Sequence, residues 1–363
     1  VGNYDTRFSP NLNEKQQVPN PLPDFFGAMG MSWEVDIWGK LRAGRRAAFA
    51  RYLAGTEARQ WMQTRIVREV AGTYLHLAWL EGEYRVWQEN LRLQQQSLEI
   101  TGLQKEAGRA NSLAVNAFAA QVLDIRGELA RVEQERRETQ FALLFALALP
   151  QNQFPYPMPE AFGLPDTGLF TDYWKAASNE WLELRPDVAA ARLQLEATGA
   201  DITMARKAFY PSLNISTFAG LQSFNAMLIA DPASLAYILM AGIGAPVLNR
   251  RMLRAGLISA EAEQRKALTA YRKTLANAAL EVRTALTRLE TDLERYRIKT
   301  LEVALLQRNT ADALELFAAG KAGYLEVINT QQLVLRNALQ LNELAYRLRL
   351  HRLDLYAALG GGW

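Results

Sequence analysis

The sequence predicts a mixed α and β fold made mainly of long α-helices, and three observations carry that expectation. Proline is confined to two zones. All 13 prolines lie at or before Pro23 or between Pro150 and Pro246, which leaves blocks 24–149 and 247–363 free of the residue that breaks helix interiors. The two blocks repeat one another in a single ungapped register. Ahead of the helical part of each block, the hydrophobic period changes from that of a helix to that of a strand.

The repeat is read residue by residue. Lys40-Leu41-Arg42-Ala43-Gly44 matches Met252-Leu253-Arg254-Ala255-Gly256, an offset of 212 from Leu41 to Leu253. In that register Glu69-Val70 meets Glu281-Val282, and Tyr84-Arg85 meets Tyr296-Arg297. Ala107-Gly108-Arg109-Ala110 meets Ala319-Gly320-Lys321-Ala322, with Leu113 opposite Leu325. Several matches in one register point to an internal duplication.

Each copy reads as a helical hairpin. Val70, Leu77, Tyr84, Leu91 and Leu98 recur every seven residues, the spacing of a coiled-coil seam. Their counterparts are Val282, Leu289, Tyr296, Val303 and Thr310. The return helices carry Val115, Val122, Leu129, Arg136 and Leu143 in one copy and Val327, Val334, Leu341, Leu348 and Leu355 in the other. An outgoing helix from Lys40 to Lys105 would be on the order of 100 Å long at about 1.5 Å per residue, longer than any compact core needs. The reversals fall at Gly108 and Gly320, since glycine takes the left-handed conformation that ends a helix.

Three stretches alternate with period two. In 25–37, Phe25, Met29, Met31, Trp33, Val35 and Ile37 oppose Ala28, Gly30, Ser32, Glu34 and Asp36. Residues 211–222 set Leu213, Ile215, Ala219 and Leu221 against Asn214, Ser216, Gly220 and Gln222. Residues 235–247 set Leu235, Tyr237, Leu239, Ile243 and Val247 against Gly242 and Gly244. Each is long enough to span a bilayer as a strand, which takes about 9–11 residues, and apolar-out with small-or-polar-in suits a water-filled membrane barrel. A half-buried soluble sheet gives the same alternation. Tyr4 to Phe8 reads as the end of a further strand, and a short helical stretch opens at Arg185-Pro186-Asp187 and runs to Ala208.

Composition narrows the function. The net charge is only +3, and basic residues alternate with acids as in Glu133-Gln134-Glu135-Arg136-Arg137, which argues against nucleic acid as a partner. With no cysteine there is no disulfide and no thiolate site, and the two histidines, His76 and His351, read as packing residues on helices. No glycine-rich phosphate loop, metal cluster or nucleophile–base set stands out, so no cofactor is expected and an enzyme is disfavoured. No apolar run is long enough for a transmembrane helix. The chain opens at Val1 without methionine, so any targeting signal is expected ahead of it. A soluble coiled-coil scaffold or adaptor without a channel remains the alternative to a membrane duct.

Six phrases in order, SWEVDIWGKLRAG (32–44), RPDVAAAR (185–192), ARKAFYPSLNIS (205–216), PVLNRRMLRAG (246–256), AGKAGYLEVINTQ (319–331) and ALGGGW (358–363), resemble the TolC family of outer-membrane factors. They cover the chain from about residue 30 to its end; the family's amino-terminal helix, most of its first strand and the lipid-bearing cysteine of many members have no counterpart here. The resemblance implies a homotrimer, with four strands per chain closing a 12-stranded outer-membrane β-barrel that continues into a periplasmic α-helical barrel. By it, residues 1–38 and 209–248 supply barrel strands and 39–149 is the first tunnel hairpin. Residues 150–208 form the equatorial connection, 249–358 the second hairpin and 359–363 the tail.

The implied function is an outer-membrane exit duct, in contact with outer-membrane lipid, serving a periplasmic adaptor (membrane fusion) protein and an inner-membrane pump. Gly108, Arg109, Ala110, Asn111, Ser112 and Leu113, with Gly320, Lys321, Ala322, Gly323, Tyr324 and Leu325, would be the adaptor-contacting tips. Glu326 stands where relatives place an aspartate of the axial constriction. Asn329 occupies the second such position as an amide, so a double carboxylate ring departs from this sequence.

Overall fold

A computed structural model describes residues 25–150, 180–223 and 226–361. In chain order the main elements are β1 (Phe25–Val35), α1 (Lys40–Glu106), α2 (Ser112–Ala146), α3 (Pro186–Lys207), β2 (Ser212–Ser223), β3 (Leu235–Gly244), α4 (Arg250–Ala318) and α5 (Tyr324–Ala358). The chain divides into two units, Val1–Leu53 with Arg192–Ala270 and Ala54–Ala191 with Tyr271–Trp363. The expected strand at Tyr4 to Phe8 lies outside the described residues.

The first unit holds the sheet, in the order β1-β2-β3 with both pairings antiparallel. The register runs from Phe25 opposite Ser223 to Val35 opposite Leu213, and from Ser212 opposite Gly244 to Leu221 opposite Leu235. That register aligns the apolar faces read from each strand. Val35, Leu213 and Ile243 form one row, Trp33, Ile215 and Ala241 the next, and Met29, Ala219 and Tyr237 another. In the single chain Met29 is 89% and Ile243 78% exposed while Val35, Leu213 and Ile215 are half-buried, so the face waits for a non-aqueous neighbour. The other face is less clean than the alternation suggests. Ser32 and Ser216 share a hydrogen bond there, but Phe218, Ile238 and Met240 share it. The sheet joins α1 through Asp36, whose carboxylate accepts from the Leu41 and Arg42 amides and caps the helix.

The second unit is built by helix packing. α1 and α4 have 67 and 69 residues, and α2 and α5 have 35 each. α1 lies between α2 and α5: Leu80 and Trp87 pack with Ile125 and Val132 of α2, and Leu335 and Leu339 of α5 close the cluster. α4 pairs with α5 through Ala285, Leu289, Leu348 and Leu355.

Here the heptad expectation needs a correction. In the second copy the expected line holds, with Leu289, Val303 and Thr310 buried. In the first copy Leu77 is buried as expected, but beyond it the buried line is Leu80, Glu83, Trp87, Asn90, Gln94, Ser97 and Thr101, three residues out of step with Tyr84, Leu91 and Leu98. Tyr84, Leu91 and Leu98 are only half-buried at its flank. Likewise Phe118, Ile125, Val132 and Thr139 carry the continuous buried row of α2, with Val122 and Leu143 buried beside it and Arg136 half-exposed. The cause is that α1 has helical neighbours on two sides, which buries a polar row that a count of apolar residues assigns to solvent. Gln331 Nε2 donates to Ser97 Oγ at 2.9 Å, whereas Asn90 Oδ1, Gln94 Oε1 and Gln331 Oε1 are buried without a hydrogen-bond donor.

One polar node stands apart. Arg185, 1% exposed, is bonded to both Asp187 oxygens, to Glu281 of α4 and to the Ala358 carbonyl at the end of α5, and lies over the Trp61 ring of α1. Burial opposes its charge, but the Asp187 and Glu281 carboxylates outweigh that and hold its pKa above the usual arginine value.

Two substitutions test this architecture. A Cβ at Gly220 would meet Gly27 O at 2.3 Å and Ala28 Cβ at 2.5 Å, whereas one at Gly242 meets nothing within 4 Å. Gly220→Ala is therefore expected to cost about 2 kcal/mol or more and lower the recovery of folded protein from detergent extracts, with Gly242→Ala as the neutral partner. Arg185→Lys, which cannot span two carboxylates and a carbonyl, is expected to destabilise the protein by about 3 kcal/mol, read as a lowered denaturation midpoint.

Candidate functional site at the hairpin tips

Both hairpins reverse by the same backbone device. In the first, Arg109 N–H reaches Gln104 O at 2.8 Å while Gly108 N–H bonds Lys105 O at 2.9 Å. In the second, Lys321 N–H reaches Leu316 O at 2.8 Å while Gly320 N–H bonds Phe317 O at 3.0 Å. This is the double closure of a Schellman motif, and it needs a left-handed residue at its hinge. Gly108 has φ +72° and Gly320 φ +73°, in agreement with the reversals read from the sequence.

The return helices start differently. Asn111 caps α2 by accepting from the Ala114 amide at 3.0 Å. Gly323 has no side chain to offer, and Glu326 takes over: its Oε2 accepts from the Gly323 amide at 2.9 Å, while its own amide bonds Gly323 O at 3.1 Å. The residue expected at the axial constriction is thus seen here capping the helix start. Glu326 and Asn329 are both exposed, three residues apart on one helical face.

Behind the turns the two tips share a core. Phe118, Phe317, Val327 and Ile328 are buried together, the two rings 6.2 Å apart, and Gln104 Nε2 donates to Phe317 O at 2.9 Å. A cavity of about 440 Å³ opens between the tips, lined by Gln104, Arg109, Asn111, Phe317, Gly323 and Tyr324. Of the expected tip residues, Gly108, Arg109, Asn111, Ser112, Leu113, Gly320, Lys321, Gly323 and Leu325 are exposed, and Ala110, Ala322 and Tyr324 are half-buried. Leu113 and Leu325, equivalent in the repeat, are 64% and 59% exposed. Apolar side chains held out on well-capped turns suit a protein partner.

The histidines serve packing. His351 Nε2 lies 3.1 Å from Asp292 Oδ2 between α4 and α5, and His76 Nδ1 lies 3.4 Å from Thr139 Oγ1. Among the described residues no group of three or more histidines and carboxylates could hold a metal ion, and no helix is long and apolar enough to cross a membrane.

Comparison with known proteins decides the family. The model of the outer membrane efflux protein family matches residues 20–149 and 177–361. This chain belongs to that family. It is 32% identical over 351 residues to the pyoverdine export outer membrane protein OpmQ of Pseudomonas putida, covering 93% of this chain and 71% of that one. It is 27% identical over 345 residues to the cation efflux system protein CusC of Escherichia coli, covering 94% and 73%. The crystal structure of the outer membrane protein VceC of Vibrio cholerae superposes with a TM-score of 0.86 at 23% identity, over 97% of this chain and 84% of that one. A CusC structure gives 0.82 at 27% identity, over 93% and 78%. The fold is therefore that of the TolC-type factors, and the protein is an outer-membrane channel of an efflux system, from a family of ducts rather than of enzymes.

The Glu326 cap gives a direct test. Glu326→Ala removes the acceptor for the Gly323 amide and is expected to cost about 1 kcal/mol, seen as faster amide exchange in the first turn of α5. Glu326→Gln keeps an acceptor and should leave that exchange near wild type.

Proposed function

We propose that the protein is the passive exit duct of a tripartite system, a homotrimer whose three sheets close one 12-stranded barrel and whose hairpins form the tunnel beneath it. The observation that carries this reading is the incompleteness of the single chain. β1 and β3 each have an unpaired edge among the described residues. α4 exposes Ile298, Leu301 and Leu305 in a row, and α2 exposes Leu123, Phe141 and Phe145. Copies of the same chain around one axis would cover all of these at once. The fourth strand would come from the residues before Phe25.

In this reading 1–38 and 209–248 are barrel, 39–149 and 249–358 are tunnel hairpins, 150–208 is the equatorial connection and 359–363 is the tail. The exposed Leu113 and Leu325 with the turns around Gly108 and Gly320 meet a periplasmic adaptor, which links the duct to an inner-membrane pump. OpmQ is named for pyoverdine export and CusC for cation efflux. A duct of this kind leaves cargo choice to the pump, so either class is compatible with it. Glu326 supplies one acidic ring near the axis, and Asn329 adds no charge to it.

A single preparation tests both parts. Mass measurement of the detergent-solubilised protein is expected to give a trimer; a monomer in detergent sinks the duct. In planar-bilayer recordings Glu326→Gln, which spares the helix cap, should reduce cation preference severalfold. Unchanged selectivity removes Glu326 from the conduction path while leaving the duct in place.

A further inference from the structure

The sheet of the first unit is followed by an arginine collar that no ion pair explains. Arg45 and Arg46 in α1 and Arg250, Arg251 and Arg254 in α4 are all exposed, and none has an acidic partner among the described residues. The nearby acids are already engaged, Glu34 by Lys40 at 2.7 Å and Asp36 by Arg42 at 3.2 Å. Neither long helix has an acid in its first turn, and the sequence holds none between Asp231 and Glu261. Val35 and Ile243, at the ends of the strands that lead into α1 and α4, lie in one row of the sheet, so these guanidinium groups leave from the same sheet end with no carboxylate to pair them and call for an anion outside the chain.

Position says which anion. The strands that precede these helices present the exposed apolar rows described above. At their end Trp38 stacks on Tyr210 with ring centres 5.0 Å apart and donates to Pro211 O at 2.8 Å, both rings about half exposed. Paired amphipathic aromatics beside an apolar band mark a bilayer–water boundary. Arg46 lies six residues beyond Lys40, on the order of 9 Å along the helix, within the depth of a headgroup layer.

We propose that this collar binds the phosphates of anionic phospholipids in the leaflet bordering the helical end of the barrel. The inference rests on reading β1–β3 as membrane-spanning. Arginine suits the task because its planar fork pairs with phosphate in two places. The collar would fix the depth of the channel in the membrane through charge, next to an aromatic pair that fixes it through amphipathic rings.

The test uses the mature protein reconstituted in nanodiscs of phosphatidylglycerol and phosphatidylethanolamine, with lipids retained on release counted by native mass spectrometry. Wild type is expected to retain phosphatidylglycerol preferentially. Each basic group at an anionic surface is worth about a fivefold preference. Replacing Arg45, Arg46, Arg250, Arg251 and Arg254 by glutamine should therefore cut the preference at least about tenfold, and replacing them by lysine should retain most of it. Equal retention of the two lipids by wild type, or an undiminished preference in the glutamine variant, overturns the collar. So does a glutamine variant that changes only the anion selectivity of the open channel, since the arginines would then line the lumen. In each of these outcomes a variant that still inserts and conducts leaves the duct itself standing.

Discussion

A coiled-coil seam is nearly indifferent to a slide of seven residues, and Arg185 removes that indifference in the second unit. Its guanidinium ties the start of α3, the body of α4, the end of α5 and a ring of α1 to one point. An isolated buried charge costs several kcal/mol, so each partner must be in place for the packing to be stable at all. Leu289 can meet Leu348 and Leu355 only in the register this node allows. The apolar layers supply most of the burial energy, and the polar node selects which alignment receives it.

Above and below this point the duplication has diverged in a physically consistent way. Backbone-level features persist in both copies: the same double closure at each tip and the same left-handed glycine. Features that depend on neighbours do not. α1 is flanked by two helices of its own chain and buries Glu83, Asn90 and Ser97, while the equivalent positions on α4, Arg295, Glu302 and Arg308-neighbouring Asn309, are not buried. One ancestral hairpin has come to serve two different surroundings.

Much of this was legible in the chain. Proline placement delimited the long helices, because proline acts through the backbone and needs no partner to be interpreted. The strands were legible for a similar reason, since period two reports one face regardless of what covers it. The seam of the first copy was not, because Asn90, Gln94, Ser97 and Thr101 look like surface residues until a second helix is known to cover them. Glu326 shows a subtler limit. The family resemblance drew attention to it only as an expected constriction residue, whereas its cap on the Gly323 amide emerges once the start of α5 is known.

The polar seam has a thermal consequence. An interface of hydrocarbon strengthens on warming near ambient temperature, and opening it carries a large positive heat-capacity change. Between Asn90 and Thr101 the buried row of α1 is made instead of amides and hydroxyls, with Ser97 bonded to Gln331 of α5 and the Asn90 and Gln94 amide oxygens without a donor. Separating such surfaces exposes groups whose hydration contributes to heat capacity with the opposite sign. The buried row of α1 from Asn90 to Thr101 accordingly adds contacts whose strength varies little with temperature, while the Leu80 and Trp87 layers and the apolar core behind the tips carry the temperature-dependent share.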